Sequence, residues 1–186
     1  MPSVRVATRP SFEYHLGMLD ICKIGDEILS EKCDKVTKFD SSLEMLVDAM
    51  FETLGEADGV GLAGPQVGVD KRLFVVWLSD GTKKAFINPE ILETSVETCP
   101  YEEGCLSIPG VYHNVIRPAK VKVFAQDEKG HSFTLDASGL LARVIQHEND
   151  HLDGKLFIDR LSQEDRDKVL KLYYKRCGAN KKKRKG

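Results

Sequence analysis

The chain has 186 residues, 41% of them hydrophobic and 30% charged, with a formal net charge of −2. That length suits one domain able to bury its own core, and that balance excludes a disordered chain. No apolar run reaches the ~20 residues of a membrane span, and the opening residues, with Arg5, Arg9 and Glu13, hold no apolar stretch of a secretory signal. Five cysteines (Cys22, Cys33, Cys99, Cys105 and Cys177) lack C-x-x-C or disulfide-framework spacing, so a soluble, cytoplasmic protein with free thiols is expected.

Residues 1–18 have no clear periodicity and are expected to form a flexible N-terminal extension, with Met18 as an alternative start. Ser41–Leu54 reads as a helix: Ser41 and Glu44 make a capping box, Leu43, Leu46, Val47, Met50 and Leu54 recur at helical spacing, and Gly55 supplies a stop. A Gly-rich loop leads into Leu73–Leu78, a continuous apolar run suited to a buried strand. Asn88-Pro89 marks a turn. Val121, Val123 and Ala125, then Phe133 and Leu135 after Gly130, alternate as a β-hairpin does. Ser138–Leu152 is the next helix. A last one is expected from about Ser162 to Arg176, acidic at its start and basic at its end. Lys181, Lys182, Lys183, Arg184 and Lys185 leave an acidic body with a basic tail, residues 177–186, expected to be disordered. Short strands and few helices without βαβ alternation predict an α+β fold.

The sharpest chemical signal is His147-Glu148-Asn149-Asp150-His151, an H-E-x-x-H on a predicted helix. Positions i and i+4 share a helix face, so two imidazoles can reach one ion with Glu148 beside it. The bland alternative is two unrelated histidines. It would bury two imidazoles and a carboxylate against Leu141, Val144, Ile145 and Leu152, and each would need a partner. A catalytic ion usually takes three protein ligands. Phe157 stands where the longer metzincin motif places a third histidine, and Glu164 falls at the start of another helix. Cys105, in Glu103-Gly104-Cys105-Leu106-Ser107, is the better candidate; an inert buried thiol is the competing reading. In Gly59-Val60-Gly61-Leu62-Ala63-Gly64-Pro65-Gln66 the glycines let backbone run beside a ligand, and Gln66 offers an N–H donor suited to an oxyanion. No Lys-Ser/Thr follows to make a phosphate loop.

Together these segments resemble peptide deformylase, whose members carry G-x-G-L-A-x-P-Q, E-G-C-L-S and Q-H-E-x-D-H in this order. The resemblance spans about residues 19–176, with Gly64 standing where the family often has alanine. It implies mainly antiparallel sheets packed around a central helix carrying the H-E-x-x-H. It also implies an enzyme that hydrolyses the formyl group from the N-terminal methionine of nascent polypeptides, releasing formate. Cys105, His147 and His151 would hold one divalent metal, iron(II) in the cell, with zinc, nickel or cobalt as substitutes. Glu148 would be the acid–base, with Gln66 and the Leu106 N–H as oxyanion donors. Val60, Gly61, Gly104, Leu140 and Val144 would face the substrate. Glu103 and Arg117 would form an ion pair anchoring the ligand loop, and Asp150 would either orient a metal-binding element or face solvent.

The resemblance further implies ribosome contact through the C-terminal helix and basic tail. A zincin-like metalloprotease shares the helix motif but is disfavoured by Phe157. A nucleic-acid-binding module rests on the tail alone, and the acidic body counts against it. Neither a membrane nor specific DNA is expected as a partner.

Overall fold

The computed structural model describes the backbone of residues 17–183 and the side chains of residues 17–177. The chain runs α1 (Ser41–Glu56), β1 (Gly61–Ala63), β2 (Leu73–Trp77), β3 (Lys83–Thr94), β4 (Thr98–Cys105), β5 (Ile108–Pro118), β6 (Lys120–Gln126), β7 (Ser132–Ser138), α2 (Gly139–Leu152) and α3 (Gln163–Lys183). Among the described residues one sheet has five strands in the order β1-β2-β3-β6-β7, and β4 pairs with β5 in a second, two-stranded sheet. Every pairing between these strands is antiparallel. This is the α+β, mainly antiparallel architecture expected.

The unbroken apolar run of β2 follows from burial on both faces. Leu73 and Val75 pack with Leu43, Leu46, Val47, Met50 and Leu54 of α1. Phe74 and Val76 pack on the opposite side with Ala142, Val144, Ile145 and Leu152 of α2. Each such side chain taken fully out of water contributes about 1.5–3 kcal/mol. A third cluster joins Ile108, Val111 and Val115 of β5 to Phe157, Ile158 and, on α3, Val169 and Tyr173. Helix α2 thereby lies against the large sheet while its polar face meets the β4–β5 hairpin, as Gln146 and Arg143 donating to the Pro118 and Val115 carbonyls show.

Several local expectations are corrected. Asp40, not Ser41, caps α1: its backbone is extended and its carboxylate accepts from the N–H groups of Ser42 and Leu43, while Ser41 is already helical. Gly55 does not stop α1: the helix continues to Glu56 with Ala57 as its C-cap, and at Gly55 the missing side chain leaves room for the Trp77 ring. Asn88-Pro89 is not a turn between strands. It falls at a register shift inside β3, where Pro89, lacking an N–H, is tolerated. Asn88, at φ +51°, instead ties its side chain to both backbone groups of Val36. Helix α3 passes Arg176 and keeps a helical backbone to Lys183. No proline interrupts that stretch, and basic residues are favourable at a helix C-terminus. The expected N-terminal extension falls on residues 1–18, of which 1–16 lie outside the described residues, as do 184–186 of the tail.

Candidate metal centre and active site

Helix α2 begins after Ser138, whose backbone is extended in the N-cap position. Its amphipathic period then carries His147, Glu148 and His151 into the space between the large sheet and the β4–β5 hairpin. Cys105 arrives at the end of β4, where the register slips before Ile108 of β5. The Cys105 thiol and one ring nitrogen each from His147 and His151 lie within 4.8 Å of one another. His151 is fully buried, and its Nε2 stands 3.4 Å from the Cys105 Sγ. The Nδ1 of His147 lies 2.8 Å from Glu103 Oε2, which fixes the proton there and leaves Nε2 for an ion.

Electrostatics favour a cation. Burial by itself would push the Cys105 thiol up, yet the charge of His151 and hydrogen bonds from His147 and His151 pull it well below its ordinary value. Burial works against a charged His147 too, but hydrogen bonds to Cys105 and Glu103 raise it. The thiolate is therefore available as a ligand, and a cation takes the place of the shared proton. A Cys, His, His donor set suits zinc, iron(II), cobalt or nickel, so the residues present fit a divalent ion. Glu148 is 3% exposed and its Oε2 has no hydrogen-bond partner among the described residues. Burial pushes its carboxyl up to about 7, against the lowering influence of His147 and His151. A base of that kind is suited to moving protons at neutral pH.

Buried ion pairs hold the centre. Glu103 accepts from Arg117 Nε at 2.7 Å and Arg117 Nη2 at 2.9 Å, which places the anticipated pair in the interior and not on the surface. Asp150 is also buried: it accepts from Arg117 Nη1 at 2.7 Å and from Arg160. Of the two readings of Asp150, the solvent-facing one is excluded. Phe157 is buried with its ring centroid 6.3 Å from that of His147, and Glu164 pairs with Lys168 on the surface.

A cavity of about 440 Å³ opens beside this cluster, within the size range of small-ligand sites. Its walls include Val60, Gly61, Gln66, Gly104, Leu106, Leu140, Val144, Cys105, His147 and Glu148. The structure thus brings ten of the eleven anticipated site residues to one groove, with His151 buried behind them. Val60 and Leu140 are partly exposed at the rim, whereas Val144 is buried and shared with the core. The Gln66 amide is buried: Nε2 donates to Ser107 Oγ at 3.2 Å and approaches Cys105 Sγ at 3.5 Å, and Oε1 accepts from the Ala63 N–H.

Gly61 and Gly64 sit in crowded surroundings. A Cβ on Gly61 would lie 2.4 Å from Glu148 Oε1, and one on Gly64 would lie 2.7 Å from the Lys71 carbonyl oxygen. Gly64 therefore sits in a close backbone approach and is not a loosened substitute for alanine. Sequence reasoning missed Arg143, Tyr101 and Tyr112, which also line the groove. For Arg143 there was a signal, a cation one helical turn before His147 on a largely apolar face.

A thiolate, two imidazoles and a buried carboxylate at the end of an open groove define the class as a metal-dependent hydrolase. The sequence matches the family described as polypeptide deformylase over residues 18–167. A peptide deformylase from Clostridium botulinum is 51% identical over 149 residues, covering 80% of this chain and 100% of that protein. The crystal structure of a peptide deformylase from Legionella pneumophila aligns with a TM-score of 0.82 at 41% identity, over 87% of this chain and 98% of the other. That of the enzyme from Ehrlichia chaffeensis in complex with actinonin gives 0.82 at 38% identity, over 86% and 98%. The chain belongs to the polypeptide deformylase family. The metalloprotease and nucleic-acid-binding alternatives are not favoured.

Proposed function

We propose that the deformylation this enzyme performs, the metal-dependent hydrolysis of the formyl group from nascent peptides, runs on Cys105, His147 and His151 as ion ligands. What carries this reading is the convergence of their three donor atoms within 4.8 Å, next to a buried carboxylate at the end of a groove. The chemistry a divalent ion supplies in such a site is Lewis-acid polarisation and acidification of a water. Iron(II) is the proposed ion in the cell, with zinc, nickel and cobalt able to use the same donors. In this reading α2 is the central helix of the fold, because it carries the H-E-x-x-H motif between the two sheets.

Glu148 would take the proton released as water oxygen bonds to the formyl carbon, and would give it to the amine nitrogen as the C–N bond breaks. The products are formate and a free amino terminus. The Gln66 side chain and the Leu106 N–H would donate to the oxygen on which negative charge develops. Such a donor is typically worth about 10²–10³ in rate. Strand β1 is an edge of the large sheet, so a nascent chain can add beside Val60 and Gly61 with main-chain hydrogen bonds that tolerate many sequences. Val60, Leu140 and Val144 would then contact the methionine side chain, with Gly104 on the opposite wall. Formate release from a short formyl-methionyl peptide by anaerobically prepared protein tests the reading. Release of amino acids by internal peptide cleavage, without formate, would replace it with the protease alternative.

The catalytic unit is proposed to span residues 19–176. The described cysteines are all free, consistent with a reducing, cytoplasmic setting, and no described helix is long and apolar enough to cross a membrane. The basic end of α3 is the proposed contact with ribosomal RNA, supported by the lysines at positions 181–183 closing the helix. Each phosphate contact would add about −0.7 to −0.9 to the salt slope of binding. Deleting residues 177–186 should flatten that slope without changing turnover on short peptides. An unchanged slope would leave the tail as a solvated end.

A further inference from the structure

Arg143 has no role in the chemistry described above, yet it is 5% exposed and makes more polar contacts than any other side chain on α2. It lies one helical turn before His147, on the same face. Its Nη1 donates to Glu103 Oε1 at 2.9 Å and to the Val115 carbonyl at 3.0 Å. Its Nη2 donates to the Cys99 carbonyl at 2.7 Å and meets the Cys99 Sγ at 3.3 Å. The Tyr101 ring covers the guanidinium, with its centroid 5.7 Å away. One side chain therefore ties α2, which carries both imidazoles, to β4, which ends in Cys105, and to β5.

The accounting at Glu103 makes the tie directional. A carboxylate offers about four acceptor positions. At Oε1 they are taken by Arg117 Nε and Arg143 Nη1, and at Oε2 by Arg117 Nη2 and His147 Nδ1. With every position filled by a charged or ring donor, the carboxylate has one orientation, and that orientation aims His147. Arg117 reaches Glu103 from β5 and touches α2 only beyond His147, through Asp150. Arg143 donates to Glu103 directly from the helix on which His147 itself stands, one turn before it.

We infer that Arg143 is a positioning residue of the metal centre: it locks Glu103 between hairpin and helix, and so sets how the Cys105 thiolate and the His147 imidazole meet an ion. This rests on the ligand assignment proposed above. Lysine can replace arginine only in part here, because one ammonium keeps the charge beside Glu103 but cannot also serve Val115 and Cys99 in a planar fork. Outer partners of metal ligands are typically worth about 10–100-fold in metal affinity or activity.

The test loads cobalt(II), alone, into the full-length chain and into Arg143→Met and Arg143→Lys. Release of the ion to excess chelator is followed by the thiolate–cobalt absorption, alongside kcat and KM on a short formyl-peptide and thermal unfolding. Arg143→Met should release cobalt about 10–100 times faster, lose kcat in similar proportion and leave KM little changed. Arg143→Lys should recover part of both losses. Should Arg143→Met fail to fold, the lysine variant decides on the same readouts. Folded variants that release cobalt and turn over at the wild-type rates, with only the melting temperature lowered, would overturn the inference and reduce Arg143 to a packing role. A wild-type chain that holds no cobalt would instead bring down the ligand assignment, and this inference with it.

Discussion

Glu103 Oε2 lies 2.8 Å from the Nδ1 of His147, so a carboxylate on the hairpin orients an imidazole on the helix. The two residues are 44 positions apart in sequence, and their hydrogen bond leaves only the Nε2 of His147 for an ion. A buried, ionised partner makes that nitrogen a stronger donor to a cation than a carbonyl would.

Glu103→Gln keeps the shape but removes the charge and places an amide opposite Arg117 and Arg143. Metal affinity should fall by about 10–100-fold, as measured by competition with a chelator. Unchanged affinity would mean that Glu103 serves the fold alone.

Glu148→Ala removes the proton carrier while sparing all three ligands. The variant should hold as much metal as the wild type and lose about 10²–10⁴ in kcat. Near-normal turnover by metal-replete variant protein would remove Glu148 from the mechanism.

How much of this centre was readable in advance depended on whether the signal was local. Helix α2 announced itself through the period of Leu141, Val144, Ile145 and Leu152, and β2 through its apolar run. The β4–β5 hairpin did not. Pro100, Tyr101, Glu102 and Tyr112 are exposed, so no alternation of apolar and polar residues marks its strands, although it delivers both Cys105 and Glu103. Arg143 gave only a weak signal, its place one turn before His147 on an apolar face, since an arginine on a helix otherwise reads as a solvent-facing residue until hairpin carbonyls are seen to surround it. Asn88-Pro89 misled because a turn dipeptide and a strand bulge use the same residue chemistry.

Asp150 offers a test of stability separate from catalysis. Burial would raise its carboxyl, but the hydrogen bond from Arg160 and the charge of Arg117 hold it below its ordinary value of 3.8. A depressed carboxylate adds stability that is complete above the unfolded-state value and is lost as pH falls through the folded one. Asp150→Asn should destabilise the metal-free chain by about 3–5 kcal/mol at neutral pH, because Arg117 is left buried with less compensation. The gap should narrow once the pH drops below about 3.8. Chemical denaturation at the two pH values checks it, and a gap that is small or independent of pH would contradict the assignment.

The most direct measurement is elemental analysis of the wild type beside Cys105→Ser, Cys22→Ser and Cys177→Ser, each purified anaerobically and exposed to the same metal. A thiolate from Cys105 completing the two imidazoles predicts about one ion per chain in the wild type and in the Cys22 and Cys177 variants. Cys105→Ser alone should lose most of its metal, and more of it at acid pH, where the remaining ligands are protonated. Equal metal in all four proteins would contradict Cys105 as a ligand and, with it, the centre as described.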